Sequence, residues 1–175
     1  MAVELFAQGG EAPSMGAVAE AAGVARATLY RYFPSRELLL KGVSATVLEA
    51  TATRLATADL ESVPVTEGIA RVARVIAAAG SKYWALRSTL MAEADYSGAV
   101  EQEIQNLIEA LLRRGADDGT LRADLTVEEM MLVFGRLLQS LPELVGDHGT
   151  SGEHAAALVT SLFLHGAARP ENAAE

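Results

Sequence analysis

The stretch GVARATLYRYFPSRELL, from Gly23 to Leu39, gathers three arginines, two tyrosines, a phenylalanine and a threonine into an otherwise alanine-rich, acidic chain. Guanidinium, phenol and hydroxyl groups are side chains that bind phosphate oxygens and base edges. At about 100° per residue along a helix, Leu29 and Phe33 share one face. Ala27, Thr28, Arg31 and Tyr32 fall on the opposite face, flanked by Arg26 and Tyr30. An apolar inner face backing a cationic, phenolic outer one suits insertion into the major groove of DNA. That surface is the chemistry expected of this segment.

Charge distribution agrees. The formal net charge of -9 excludes a general nucleic-acid coat, because phosphate affinity rests on basic charge. Residues 1–43 hold four basic side chains (Arg26, Arg31, Arg36, Lys41) and four acidic ones (Glu4, Glu11, Glu20, Glu37), so the whole -9 lies in residues 44–175. All four basic residues stand between positions 26 and 41, with Glu37 alone against them. A local basic patch on an acidic protein points to a dedicated binding face.

Other chemistries lack support. The chain has no cysteine, which excludes disulfide scaffolds, thiolate zinc sites and cysteine nucleophiles. His148, His154 and His165 are widely spaced and have no HExxH or carboxylate pattern, so neither a metal nor a cofactor is expected. Glu128 and Glu129 read as a helix start, and no Ser/His/Asp arrangement or glycine-rich phosphate loop has the context that catalysis needs. No enzymatic activity is expected. "MAVELFAQGG" has no basic start, and no run approaches the apolar length of a membrane span. The expectation is a soluble cytoplasmic protein.

Helices must position the basic face, since strand signals are almost absent and turn formers separate helix-length pieces. Ala2, Leu5 and Phe6 make the end of an amphipathic helix stopped by Gly9-Gly10 and expected to be cut at its start. Ser14, after Pro13, caps a short helix reaching about Ala22. Gly23 supplies a left-handed turn, and the next helix runs from about Ala25 to Phe33. Ala19 allows close approach, while Val18, Val24, Leu29 and Phe33 are expected to complete a small core. Ser35 caps a long helix ending near Ala58. Further helices are expected at about Val65–Ala79, Lys82–Glu93, Gly98–Ala116, Thr126–Val145 and Glu153–Ala167, with "TVEE" forming a capping box at Thr126. The fold class is all-α. The organisation is a helix-turn-helix domain over 1–43, with its first helix truncated, followed by a helical ligand-binding and dimerisation domain over 44–175.

The capped "SMGAVAEAAGV", the "TLYRYF" helix, "SRELL" opening the next and the "LF" and glycine before them together resemble the DNA-binding region of the TetR (tetracycline repressor) family of bacterial regulators. The resemblance covers about 40 residues; the rest matches in kind, being helical and apolar. It implies a homodimer that binds a palindromic double-stranded operator, represses transcription and is released by a small molecule. It also implies roles for individual residues. Arg26, Ala27 and Thr28 would reach base edges, Tyr30, Tyr32 and Arg36 would hold phosphates, and Arg31 would belong to the same outer face. Ser14 would cap its helix and donate to a phosphate.

In the second domain, Tyr83, Trp84, Met91, Met130, Met131 and Phe134 are candidates to line a pocket for a largely apolar effector; plain core packing is the competing reading. The last helix, "EHAAALVTSLFLHGAA", is apolar nearly all round and must be covered on most sides. With Leu137, Leu138 and Leu141 from the preceding helix, its Leu158 and Leu162 are expected to form a four-helix dimer interface. An internal core helix is the alternative. A second reading of the whole chain is a small-molecule-binding helical dimer that has lost DNA binding through truncation.

Overall fold

Ser14 and Ser35 each open a helix by the same device. Both sit in extended backbone, and each side-chain oxygen accepts at 3.2 Å from an amide three residues on, Ala17 N and Leu38 N. Such a cap supplies about 1 kcal/mol. The computed structural model describes residues 14–90, 98–146 and 149–167, with backbone alone for 80–90 and 146. Its elements in chain order are α1 (Met15–Ala21), α2 (Arg26–Tyr32), α3 (Arg36–Ala56), α4 (Val65–Leu90), α5 (Ala99–Asp117), α6 (Val127–Gly146) and α7 (Gly152–Ala167). Every element among the described residues is a helix, as expected.

The capping box at α6 forms in full. Thr126 Oγ1 accepts from Glu129 N at 3.2 Å, and the Glu129 carboxylate accepts from Thr126 N at 2.8 Å. The Thr126 amide, and then its hydroxyl, which donates to Glu129 Oε2 at 2.8 Å, hold the Glu129 carboxyl below the ordinary range.

One expected break is absent. Two helices were expected between Val65 and Glu93, but α4 runs unbroken from Val65 to Leu90 through Gly80-Ser81. A glycine in a helix interior costs about 1 kcal/mol, and with no proline beside it that is too little to end a helix anchored in the core by Val65, Ile69, Val72, Ala73 and Ala77.

Two cores divide the molecule. The smaller holds Met15, Val18, Ala19, Leu29, Leu39, Leu40 and Val43, with Phe33 packed against it. The larger gathers residues of α3 to α7, among them the fully buried Ile69, Val72, Leu112, Leu121 and Leu141. α4 packs on α3, α6 and α7, and α5 packs on α3. Among the described residues, only α3 belongs to both cores: Leu39, Leu40 and Val43 serve the first, and Leu48, Ala52 and Leu55 the second. Val24 departs from expectation. It is 39% exposed, because it follows the turn at Gly23 and lies on the rim rather than between the helices.

Candidate nucleic-acid interface

The interface is built from the turn outward. Gly23 stands at φ +66°, where a residue with a Cβ is strained. Its amide bonds to Glu20 O and that of Val24 to Ala19 O, both at 3.0 Å, which closes α1 and redirects the chain. Leu29 then enters the small core at 7% exposure, over the buried Ala19. Phe33 seats its ring against α3 at Gly42, where an added Cβ would stand 3.0 Å from Cε1.

With Leu29 turned in, the opposite side of α2 is turned out. Arg26, Ala27, Tyr30, Arg31 and Tyr32 are exposed, and Thr28 is half-buried. The Arg31 guanidinium carbon lies 5.2 Å from the Tyr32 ring centroid, a cation–π pairing that presents both groups together. Ser14 and Arg36 are exposed in the starts of their helices. Lys41 pairs with Glu37 at 2.7 Å, offsetting the only acidic group within the basic stretch.

Arg26 has a partner that sequence patterning did not flag. Its Nη2 lies 2.8 Å from where a Cβ on Gly16 would stand, so the guanidinium folds over the first turn of α1. Arg26 and the Ser14–Gly16 start are thereby neighbours across two helices. A groove of about 380 Å³ in this domain is walled by Val18, Val24, Phe33 and Val43, with Thr28 and Tyr32 among its lining. The exposed side of Val24 faces this groove.

The residues expected around an effector do not come together among the described side chains. Met130 and Phe134 are buried in the large core, with the Phe134 ring centroid 4.6 Å from that of Phe163. Met131 is half-buried against the same core. Tyr83 and Trp84 belong to the C-terminal half of α4, where only backbone is described, and Met91 lies outside the described residues. A groove of about 250 Å³ between α4 and α7 is lined by Ala70, Arg74, Glu153, Ala156, Thr160 and Ser161 among others, and by none of the six.

The expected dimer residues divide. Leu138 and Leu141 are buried within the chain and Leu137 is half-buried against the same core, so that stripe of α6 faces inward. Leu158 and Leu162, the latter 58% exposed, face outward from α7. Leu132, 61% exposed, and Val133 do so from α6 and were missed. A signal existed: five consecutive apolar residues, Met130 to Phe134, circle a helix, so some must face out. His154 and His165 are exposed, with His165 Nδ1 2.7 Å from Ser161 O, and His148 lies outside the described residues. Among the described residues no group of His, Cys, Asp or Glu is placed to hold a metal, and no helix is long and apolar enough to cross a membrane.

This arrangement matches known proteins. Residues 1–43 match the family model of bacterial regulatory proteins, tetR family. No curated protein matches the sequence. Among solved structures, the chain is similar to the TetR-family transcriptional regulator PfmR from Thermus thermophilus, at 24% identity and TM-score 0.73, with 94% of each chain covered. It is similar to the TetR transcriptional regulator SCO0520 from Streptomyces coelicolor at 26% identity and TM-score 0.60, covering 97% of this chain and 95% of the other. A third is the transcriptional regulator FadR from Bacillus subtilis, solved in complex with stearoyl-CoA, at 20% identity and TM-score 0.67, covering 94% and 95%. The helix-turn-helix match and the fold shared along the chain define a DNA-binding transcriptional regulator. Its residues 1–43 carry the tetR-family DNA-binding match, and its overall fold is similar to that of TetR-family regulators.

Proposed function

We propose that this regulator is a cytoplasmic homodimeric repressor that reads a palindromic operator and is released by a largely apolar small molecule. The observation that carries the reading is the outer face of α2, with Arg26, Ala27, Tyr30, Arg31 and Tyr32 exposed directly behind the buried Leu29. Arg26 is assigned to a base edge, Ala27 and Thr28 to the same first turn, and Ser14, Tyr30, Tyr32 and Arg36 to phosphates, with Arg31 beside them. Residues 1–43 form the reading domain, and 44–175 the domain that binds the effector and the second copy.

Support for the dimer lies in four large apolar side chains exposed on two helices that pack together, Leu132 and Val133 on α6 and Leu158 and Leu162 on α7. Two copies of that pair make a four-helix contact and cover it. Support for an apolar effector comes from the similar fold of FadR, which was solved with stearoyl-CoA.

The deciding experiment measures binding of the full chain to DNA upstream of its own coding region and to random duplex, with salt varied. Specific binding should exceed non-specific binding and fall steeply with salt. Equal affinity for both duplexes at every salt concentration would sink the regulator reading. For the effector, Trp84 fluorescence is followed as stearoyl-CoA is added, with and without bound DNA. A ligand that releases DNA must itself bind more weakly when DNA is present.

A further inference from the structure

The connection from Thr57 to Pro64, between α3 and α4, is tied down more firmly than a surface loop requires. Leu60 plugs into the large core. Arg71, from α4, donates Nη1 to Ala58 O at 2.7 Å, and its Nε donates to Glu67 Oε1 at 3.1 Å. Arg114, from α5, donates Nη1 to the Glu61 carbonyl and Nη2 to Val63 O, the latter at 2.7 Å. Asp59 is held at φ +53°, the only non-glycine residue at positive φ among those described. Three loop carbonyls that water could serve are thus taken by two guanidinia from different helices. A planar fork with several fixed donors suits that task better than an ammonium.

The loop ends the one element shared by both cores. α3 has 21 residues, so it is about 31 Å long at 1.5 Å per residue. Its foot is the clamped loop, and its head carries Arg36 and the small core that seats α2. Over such a lever, a tilt of about 6° moves the head by about 3.4 Å, one base-pair step. Slack at the foot therefore becomes slack in where each reading head lies.

We propose that Arg71 and Arg114 are positioning residues for DNA recognition: by clamping the foot of α3 they fix the separation between half-sites that the dimer accepts. This rests on the homodimer and palindrome reading above. Neither arginine is assigned a DNA contact, and the effect passes wholly through α3. A clamp serving stability alone would leave the preferred spacing untouched, which separates the two roles.

The test is selection from a random duplex library by the full-length wild-type chain and by Arg71→Gln and Arg114→Gln, reading both half-site sequence and spacing. The wild type should enrich inverted half-sites at one spacing. The variants should enrich the same half-site sequence with spacings spread by at least one base pair, and Arg114→Lys should fall between. Retention of the single wild-type spacing by both glutamine variants would overturn the proposal. If those variants melt too low for selection, Arg114→Lys and Glu67→Gln, which loosens the brace on Arg71, carry the same test; an unbroadened spacing in both overturns it equally. Enrichment of lone half-sites by the wild type would instead remove the palindrome reading, and this inference with it.

Discussion

Phe134 is the residue for which the sequence left two readings open and the structure favours one. If it lines an effector pocket, removing its ring enlarges a space already open, at small cost to stability. If it is core, removal leaves a void. It is fully buried, with its ring 4.6 Å from that of Phe163 at an interplanar angle of 37°. Truncating a buried phenylalanine costs about 3–5 kcal/mol, and a tilted aromatic pair adds about 0.5–1.5 kcal/mol beyond its area, so Phe134→Ala should lose about 4 kcal/mol or slightly more. For a chain of this length that loss lowers Tm by about 8–16 °C. Urea denaturation at one fixed protein concentration reads the effect, since subunit association makes stability concentration-dependent. Phe163→Ala and the double variant complete a cycle, in which a coupling of at least about 0.5 kcal/mol is expected for rings in contact. A loss below about 1.5 kcal/mol for Phe134→Ala, the range of tolerated core swaps, would refute the core assignment and restore the pocket reading.

Arg26→Ala should weaken specific binding by about 1–3 kcal/mol and relax preference at one base per half-site, while Arg36→Ala should weaken all binding and flatten the salt slope. Parallel losses on specific and random DNA for Arg26→Ala would remove its base-reading role. Gly16→Ala should fold normally, because its new methyl displaces only the flexible end of Arg26; it should nonetheless shift operator preference, and unchanged selection would mean that the Arg26–Gly16 contact does not matter to reading. Leu162→Glu should give monomer or aggregate by light scattering, since a charge buried in an apolar interface is costly, and an unaltered dimer would place the interface elsewhere. Glu129 is held below its ordinary value by the Thr126 amide and hydroxyl. Its contribution is therefore present above the unfolded glutamate value and lost as pH falls through the folded one. Glu129→Gln should make Tm depend less on pH over that acidic range, and an unchanged acid limb would contradict it.

What was legible in the sequence was local. Ser14, Ser35 and the Thr126–Glu129 box act over three residues, so their effect does not depend on distant parts of the chain. Gly23 and Leu29 were legible for the same reason, because a positive φ and a helix repeat are properties of the segment itself. The stripe of Leu137, Leu138 and Leu141 was not fully so. Periodicity shows that a helix has an apolar face and is silent on whether that face meets the same chain or a second copy. The large core took those three, leaving Leu132 and Val133 outside. The break expected near Gly80 failed because one glycine costs little in a helix already anchored in the core from Val65 to Ala77. Arg114 reaches carbonyls 51 and 53 residues away, a relation no local pattern contains.

These distinctions bear on how a body made of α4 to α7 can govern a reading face on α2. α1 and α2 pack on each other and, through the small core, on α3. α3 in turn packs along α4 and α5. A molecule bound in the body alters DNA affinity only if it binds one arrangement of the reading heads better than the other. Within the described residues, α3 is the helix that contributes to both cores, so on the function proposed above it is the helix that would transmit that difference. Its foot is clamped by Arg71 and Arg114, so the movement open to it is a tilt about that end or a bend between its two cores. Either displaces the head by far more than the foot, because the lever multiplies a small angle. On the function proposed above, firm clamping and responsive reading are therefore compatible: the clamp would set the resting separation, and packing changes along α3 the departure from it.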